Sequence, residues 1–314
     1  MNYYAGIDLG GTNIKCGIVD ETGKIIIQES VPTHSEKGFS YVTETMANLV
    51  IKLVRANKID VNAVGVGSPG MIDGEKGVVV YSNNLAWQKA PLAAELKNRL
   101  QIPVRITNDA NAAAYGEYTC GAGKKYKSIV LLTLGTGVGS GIVIDGKLFE
   151  GNRGVGAELG HETIRFGGEK CSCGRRGCLE AYASATALIR QTKRAMEKDR
   201  QSKLWELCGS DINNVNGKTA FDGLRSGDVT AKKVVNAYIR YLAEGIANIV
   251  NAFRPEAILL GGGISREGKI LIEPLKRKVQ NLAFGKFIYS PVELLVAAMG
   301  NLAGIVGAAL LARP

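Results

Sequence analysis

The sequence predicts an α/β protein of two lobes. Its 314 residues exceed what one hydrophobic core usually supports, since domains average roughly 100 to 200 residues. Strand and helix patterns alternate through both halves, as an α/β class requires. A glycine-rich hairpin occurs twice: aligning Leu9-Gly10 with Leu134-Gly135 gives an offset of 125, and Gly17-Ile18-Val19 with Gly141-Ile142-Val143 gives 124. The chain therefore carries an internal duplication.

Residues 4–24 read as strand, glycine-rich turn, strand and a second turn at 20–23, and the copy spans 129–147. Residues 41–58 place Met46, Leu49, Val50, Leu53 and Val54 at helical spacing. A strand at 63–66 and a loop at 67–70 follow. Residues 91–100 suit a helix with Pro91 near its first turn. A strand at 104–107 delivers Asn108-Asp109, and 110–118 is an alanine-rich helix. Longer helices are expected at 183–198 and 230–253, a buried strand at 256–260 running into Gly261-Gly262-Gly263, and a final apolar helix at 300–312. The lobes are expected at 1–110 with 300–314, and at 111–299.

Hydrophobic residues make up 46% and charged residues 22%, a globular composition that excludes a disordered chain. Apolar runs such as 257–260 and 302–311 fall short of the ~20 residues of a membrane span. The first residues lack the basic region of a signal peptide, so a cytosolic chain with no membrane partner is expected. The net charge of +10 invites a nucleic-acid reading. However, Lys193, Arg194, Lys198 and Arg200, or Lys276, Arg277 and Lys278, lie in amphipathic segments that read as solvated helix faces. No DNA- or RNA-binding motif accompanies them, and no nucleic-acid partner is expected. Anionic substrates such as nucleotides would suit the same charge.

Glycine-rich turns let backbone N–H groups approach phosphate with no Cβ in the way. One such turn is most often only a tight hairpin; two copies, with Thr12 and Thr136 in the bends, point to phosphate binding. Asp8 opens the first hairpin at a strand end, where a carboxylate can hold Mg²⁺ or cap a turn, and the flanking Gly10-Gly11-Thr12 favours the ion. Asp109 sits at a strand-to-helix junction. It can serve there as a helix cap, or as a base accepting a hydroxyl proton, and spacing alone does not decide between them. Asn108 beside it offers a donor and an acceptor that suit a sugar hydroxyl.

Six cysteines fall at 16, 120, 171, 173, 178 and 208. With His161, the pattern Cys171-x-Cys173-Gly-x-x-Gly-Cys178 gives a Cys₃His tetrahedron, the closed shell of a structural Zn²⁺ site with no open position for catalysis. Three buried structural cysteines would not need glycines at that spacing. Cys16, Cys120 and Cys208 are isolated and read as packing residues. Only His34 and His161 exist, so a Ser-His-Asp hydrolase would need His34 in an early loop, which argues against that class.

Together, Asp8-Leu-Gly-Gly-Thr12, Asn108-Asp109, Glu158-x-Gly-His161, the cysteine knuckle through Glu180 and the Gly261-Gly-Gly263 loop resemble the ROK family of sugar kinases and sugar-responsive repressors. The resemblance runs in order over nearly the whole chain. The knuckle is its most specific part, while the hairpins are shared with the wider actin, hexokinase and Hsp70 superfamily. It implies an actin-like, hexokinase-like ATPase fold, two lobes each with a mixed sheet flanked by helices, closing on ATP and a sugar. It implies Asp109 as catalytic base, and Asn84, Asn108, Glu158, His161 and Glu180 as sugar-hydroxyl ligands with Gly70 nearby. Gly10, Gly11, Thr12, Thr136 and Gly137 would hold phosphates, and Gly262 and Gly263 would border the nucleotide. His161 would place one ring nitrogen on zinc and the other toward the sugar. Glu162-Thr163 departs from the apolar residues expected after the histidine.

The activity implied is ATP-dependent phosphorylation of a hexose, glucose at its 6-hydroxyl first, since residues 180–188 look most like the family's glucose kinases from Gram-positive bacteria. Kinases of N-acetylmannosamine, N-acetylglucosamine, mannose or fructose share the same hydroxyl-gripping residues, and a homodimer or homotetramer is the expected assembly. The family's repressors carry a helix-turn-helix ahead of the first hairpin; Asp8 begins the phosphate motif directly, so a repressor is not expected. An actin- or Hsp70-like ATPase would explain the hairpins but neither the knuckle nor Glu180.

Overall fold

The computed structural model describes every residue except Phe287, Tyr289 and Pro314. In chain order the elements begin β1 Tyr3–Leu9, β2 Asn13–Asp20, β3 Ile25–Pro32, α1 Phe39–Asn57, β4 Ala63–Ser68, β5 Met71–Asp73, β6 Val78–Ser82 and β7 Trp87–Ala90. They continue α2 Leu92–Leu100, β8 Val104–Asn108, α3 Asp109–Cys120, β9 Ile129–Leu134, β10 Val138–Ile144 and β11 Lys147–Phe149. The rest are α4 Glu180–Ala183, α5 Ala185–Lys198, α6 Leu204–Leu207, α7 Thr219–Arg225, α8 Val229–Phe253, β12 Ala257–Gly261, α9 Lys269–Leu282, β13 Glu293–Val296 and α10 Ala303–Leu311. No helix among the described residues is long and apolar enough to cross a membrane.

The duplication appears as two five-stranded mixed sheets, ordered β3-β2-β1-β4-β8 and β11-β10-β9-β12-β13. In the first, β1 pairs antiparallel with β2 and parallel with β4, so Gly6 faces Gly17 on one side and Gly65 on the other. Strand alternation sorts the residues. Ala5, Ile7, Leu9, Val64 and Val66 pack with Val42, Met46 and Val50 of α1 and Leu92 and Leu96 of α2. Tyr4 and Ala63 point the other way, onto Ile305, Ala309 and Leu310 of α10. On that face the glycines matter: a Cβ on Gly65 would lie 1.8 Å from the Ala308 carbonyl oxygen, so α10 can rest on the strands only because side chains are missing there.

By contacts the chain forms two units, one of Met1–Leu131, Gly141–Ala157 and Ala297–Pro314, the other of Leu132–Ser140 and Glu158–Val296. This division departs from a boundary at 110/111. Helix α3 belongs with the first unit because it crosses α10 backbone to backbone: a Cβ on Gly307 would stand 1.7 Å from the Ala112 oxygen, and one on Gly116 2.2 Å from the Ala303 oxygen. In the second unit, α8 buries one face, including Val235, Leu242, Ile246 and Ile249, and Tyr238 donates from its hydroxyl to the Ala183 carbonyl at 2.7 Å.

Two departures from the sequence pattern bear on the site. The helix expected at 183–198 is broken at Ser184, whose extended backbone and side-chain oxygen, accepting from the Ala187 N–H at 3.0 Å, end α4 and cap α5. The three-stranded meander β5-β6-β7 has strands of three to five residues, too short for their alternation to stand out, and it carries Asn84 in its second turn.

Candidate active site

In the first unit the first glycine-rich hairpin bends between β1 and β2. Gly10 N–H donates to the Asn13 carbonyl at 2.9 Å, while Thr33 clamps the bend from below, its N–H on the Thr12 oxygen at 2.8 Å and its hydroxyl on the Gly10 oxygen at 2.7 Å. Thr12 is left exposed at the tip, above strands that are buried. Asp8 pairs with the Lys15 ammonium at 3.0 Å beside the bend. The turn bearing exposed Asn84 lies alongside: a Cβ on Gly11 would be 3.5 Å from the Asn84 Cβ.

Two residues at the β8–α3 junction divide the work. Asn108 is the N-cap, its Oδ1 accepting from the N–H groups of Ala110 at 2.9 Å and Asn111 at 3.3 Å. Asp109 is the first helical residue, and its Oδ1 also accepts from Ala110 N–H, at 2.8 Å. Capping therefore falls to Asn108. Its amide Nδ2 donates to the Gly70 carbonyl at 3.1 Å, leaving one amide hydrogen for another acceptor. Gly70 can present that carbonyl because it sits at φ 109°, where a Cβ would strike the Tyr81 oxygen at 2.2 Å.

In the second unit, the second glycine-rich bend is tied to the segment that holds the cysteines. Gly135 N–H bonds the Gly137 oxygen at 3.1 Å, and Thr136 is exposed at the tip like Thr12. Four bonds anchor the bend: Ala185 N–H to the Gly135 oxygen at 2.7 Å, Thr186 hydroxyl to the Thr136 oxygen at 2.8 Å, Leu159 N–H to Ser140 Oγ at 3.0 Å, and Val138 N–H to Glu180 Oε2 at 3.1 Å. A Cβ on Gly137 would meet that same Glu180 oxygen at 2.4 Å, so only glycine lets the carboxylate approach. Gly262, at φ 82°, lies against the backbone of Leu134 just before the bend, and Gly263 faces open space.

The knuckle brings His161, Cys171, Cys173 and Cys178 together, their donor atoms all within 4.8 Å of one another. For metal–sulfur bonds of about 2.3 Å and a metal–nitrogen bond of about 2.05 Å, a tetrahedron has edges of about 3.8 Å (S···S) and 3.6 Å (N···S). Cys173 Sγ lies 3.7 Å from Cys178 Sγ, and Cys171 Sγ lies 3.6 Å from His161 Nδ1, so the four donors fit a zinc-sized ion and leave Nε2 to face elsewhere. Burial, then the neighbouring thiols, push Cys178 up to about 12. Burial also raises Cys171, whereas at Cys173 the burial cost is outweighed by the Arg175 amide, the neighbouring thiols and the Arg175 charge, which bring it down. A divalent cation supplies the charge that such a cluster needs to ionise fully. Arg175 closes the loop, donating to the His161 carbonyl at 3.1 Å and to Thr163 Oγ1 at 2.8 Å, which gives the unexpected polar residue at 163 a partner.

Glu180 joins the knuckle to the bend. Its Oε1 accepts from Ser172 Oγ at 2.6 Å, and its Oε2 takes the Val138 amide. Glu158, at the turn before His161, is solvent-accessible; crowding around its carboxyl raises its pKa, His161 opposes the rise and Glu180 adds to it. Sequence reasoning missed Ser172, Ser140 and Lys15. Only Ser172 left a trace, as the middle residue of Cys-x-Cys.

Duplicated sheets, each with a glycine-rich bend, define the actin-like, hexokinase-like phosphoryl-transfer class. The chain belongs to the ROK family, whose sequence profile matches residues 4–314. It is 40% identical over 305 residues to the glucokinase of Thermotoga maritima, covering 97% of this chain and 95% of that one. A ROK family glucokinase from Streptomyces griseus, solved with glucose and AMPPNP, superposes with a TM-score of 0.84 at 35% identity over 99% of both chains. The xylose repressor of Bacillus subtilis is 30% identical over 309 residues, which cover 97% of this chain and 75% of the repressor.

Proposed function

We propose that this protein is an ATP-dependent hexose kinase that phosphorylates glucose at its 6-hydroxyl. The observation that carries the reading is Glu180: a carboxylate suited to sugar hydroxyls is held by the knuckle within hydrogen-bond distance of the second phosphate bend. A sugar kinase needs a hydroxyl site beside a phosphate site, whereas an ATPase that transfers to water does not. Identity to the Thermotoga maritima glucokinase supports glucose as the acceptor.

In this reading Asp109 accepts the proton of the attacking hydroxyl, in the geometry of an in-line phosphoryl transfer. Asn84, Asn108, Glu158, His161 Nε2 and Glu180, with Gly70 nearby, hold the sugar. The bends at Gly10-Gly11-Thr12 and Thr136-Gly137 hold phosphates through backbone N–H groups, and Gly262-Gly263 border the nucleotide. Asp8 is placed to hold Mg²⁺, which neutralises phosphate charge when bound. Zinc on the Cys₃His donors fixes the His161 ring and the loop that carries Glu180.

A coupled assay over glucose, mannose, fructose, N-acetylglucosamine and N-acetylmannosamine tests the proposal. The highest kcat/KM is expected on glucose. A higher value on an N-acetyl sugar would overturn the choice of glucose, and ATP turnover indifferent to every sugar would overturn the kinase reading. The likeness to xylose repressors makes operator binding without ATP turnover the outcome that would favour a regulator.

A further inference from the structure

Away from these residues, the second unit contains a cavity of about 330 Å³ between α5 and α8. Five cations line it, Arg165, Arg190, Arg194, Lys198 and Lys233, against one carboxylate, Glu169. The spacing explains the convergence. Arg190, Arg194 and Lys198 stand four residues apart on α5 and form one stripe, while Lys233, Ala237 and Tyr241 form a matching stripe on α8.

Within the lining, one carboxylate faces five cations, with Glu197 adding negative charge near Arg194. Arg194 bonds Glu169 at 2.6 Å, and that bond with the arginine charges around it holds Glu169 below the usual carboxylate range, so it stays ionised. Arg190 donates from one terminal nitrogen to the Ala181 carbonyl. Its Nε is buried and has no hydrogen-bond partner among the described residues, standing 4.0 Å from Glu169. A buried donor without an acceptor is uncommon and calls for an explanation. Tyr182 and Tyr241, their ring centroids 4.5 Å apart, line the same cavity.

We propose that this cavity is a binding site for a small molecule carrying one or more phosphate groups, separate from the residues assigned to phosphoryl transfer. Arginine forks match phosphate oxygens two at a time, and lysines add charge without fixed geometry. The volume lies at the lower end of small-molecule sites. The cations gather around one open cavity of this volume, which suits a compact ligand better than a nucleic acid. Tyr182 also packs in the cluster of Cys171 and Cys178, so the knuckle borders the cavity wall.

The test is calorimetric titration of the zinc-loaded full chain with glucose 6-phosphate and with inorganic pyrophosphate, in saturating glucose and a non-hydrolysable ATP analogue. At least one probe is expected to bind with a stoichiometry of one. Tight glucose 6-phosphate with weak pyrophosphate identifies a phosphate ester as the ligand, and the reverse identifies a free polyphosphate. Arg194→Gln and Lys233→Gln, one on each wall, are each expected to weaken that probe about tenfold, the scale of one charge-assisted bond. Both are expected to keep wild-type glucose-dependent turnover, which also shows that they fold. Neither probe binding, or both variants binding as the wild type does, would overturn the proposal. If glucose and the analogue themselves fail to bind, the kinase reading falls, and the variants' effect on probe binding still decides the cavity.

Discussion

Asp109 and Asn108 share a helix start, where Asn108 is the cap. In the proposed reading Asn108 also holds the sugar: Asn108→Ala is expected to cost about 1 kcal/mol, read as a fall in Cm, and to raise the KM for glucose. Asp109→Asn keeps an oxygen for the Ala110 amide and is expected to leave Cm nearly unchanged while kcat falls by a factor on the order of 10² or more. If both variants lost stability alike and activity only in proportion, Asp109 would be structural. Ser172 was nearly invisible in the sequence because a serine between two cysteines looks like filler. Its hydroxyl orients Glu180, and Ser172→Ala is expected to raise the KM for glucose about tenfold with zinc content intact. Ser172→Thr should restore it, and an unchanged KM in the alanine variant would remove the residue from the site.

Among the elements, the long helices and the duplicated hairpins were legible because their periodicity and glycine spacing are local properties. The meander around Asn84 was not, since its strands are only three to five residues long. Nor was the partnership of α3 with α10, which depends on glycines nearly 200 residues apart meeting backbone to backbone. Gly307→Ala places a methyl against the Ala112 carbonyl with no side chain able to yield, and ~3 kcal/mol of destabilisation is expected by denaturant titration. A change under about 0.5 kcal/mol would mean that the helices separate easily. The knuckle was the most legible element, because it is written in four residues of two types, one histidine and three cysteines, at fixed spacing. Cys173→Ser is expected to drop bound zinc from one per chain to near zero and to raise the sugar KM through His161 and Glu180. A metal-free variant with wild-type KM would show that the metal does not brace the sugar loop.

For the whole molecule, the α/β class and the two sheets follow from repeated local patterns, and the ROK profile spans residues 4–314. The division into units was less accessible, because contacts assign residues 111–131 and 141–157 by packing rather than by position in the chain. The basic charge also changes meaning with scale. Arg194 and Lys198 read in sequence as solvated helix face and are exposed, and together with cations from other elements they line one open cavity. The central claim is that this chain moves a phosphoryl group from ATP to the 6-hydroxyl of glucose with Asp109 as base. It is tested most directly by ³¹P NMR of the wild type and Asp109→Ala with ATP, Mg²⁺ and glucose. The account predicts glucose 6-phosphate from the wild type and a rate at least 10²-fold lower from the variant, with glucose binding retained. Inorganic phosphate as the sole product, or equal rates from the two proteins, would contradict it.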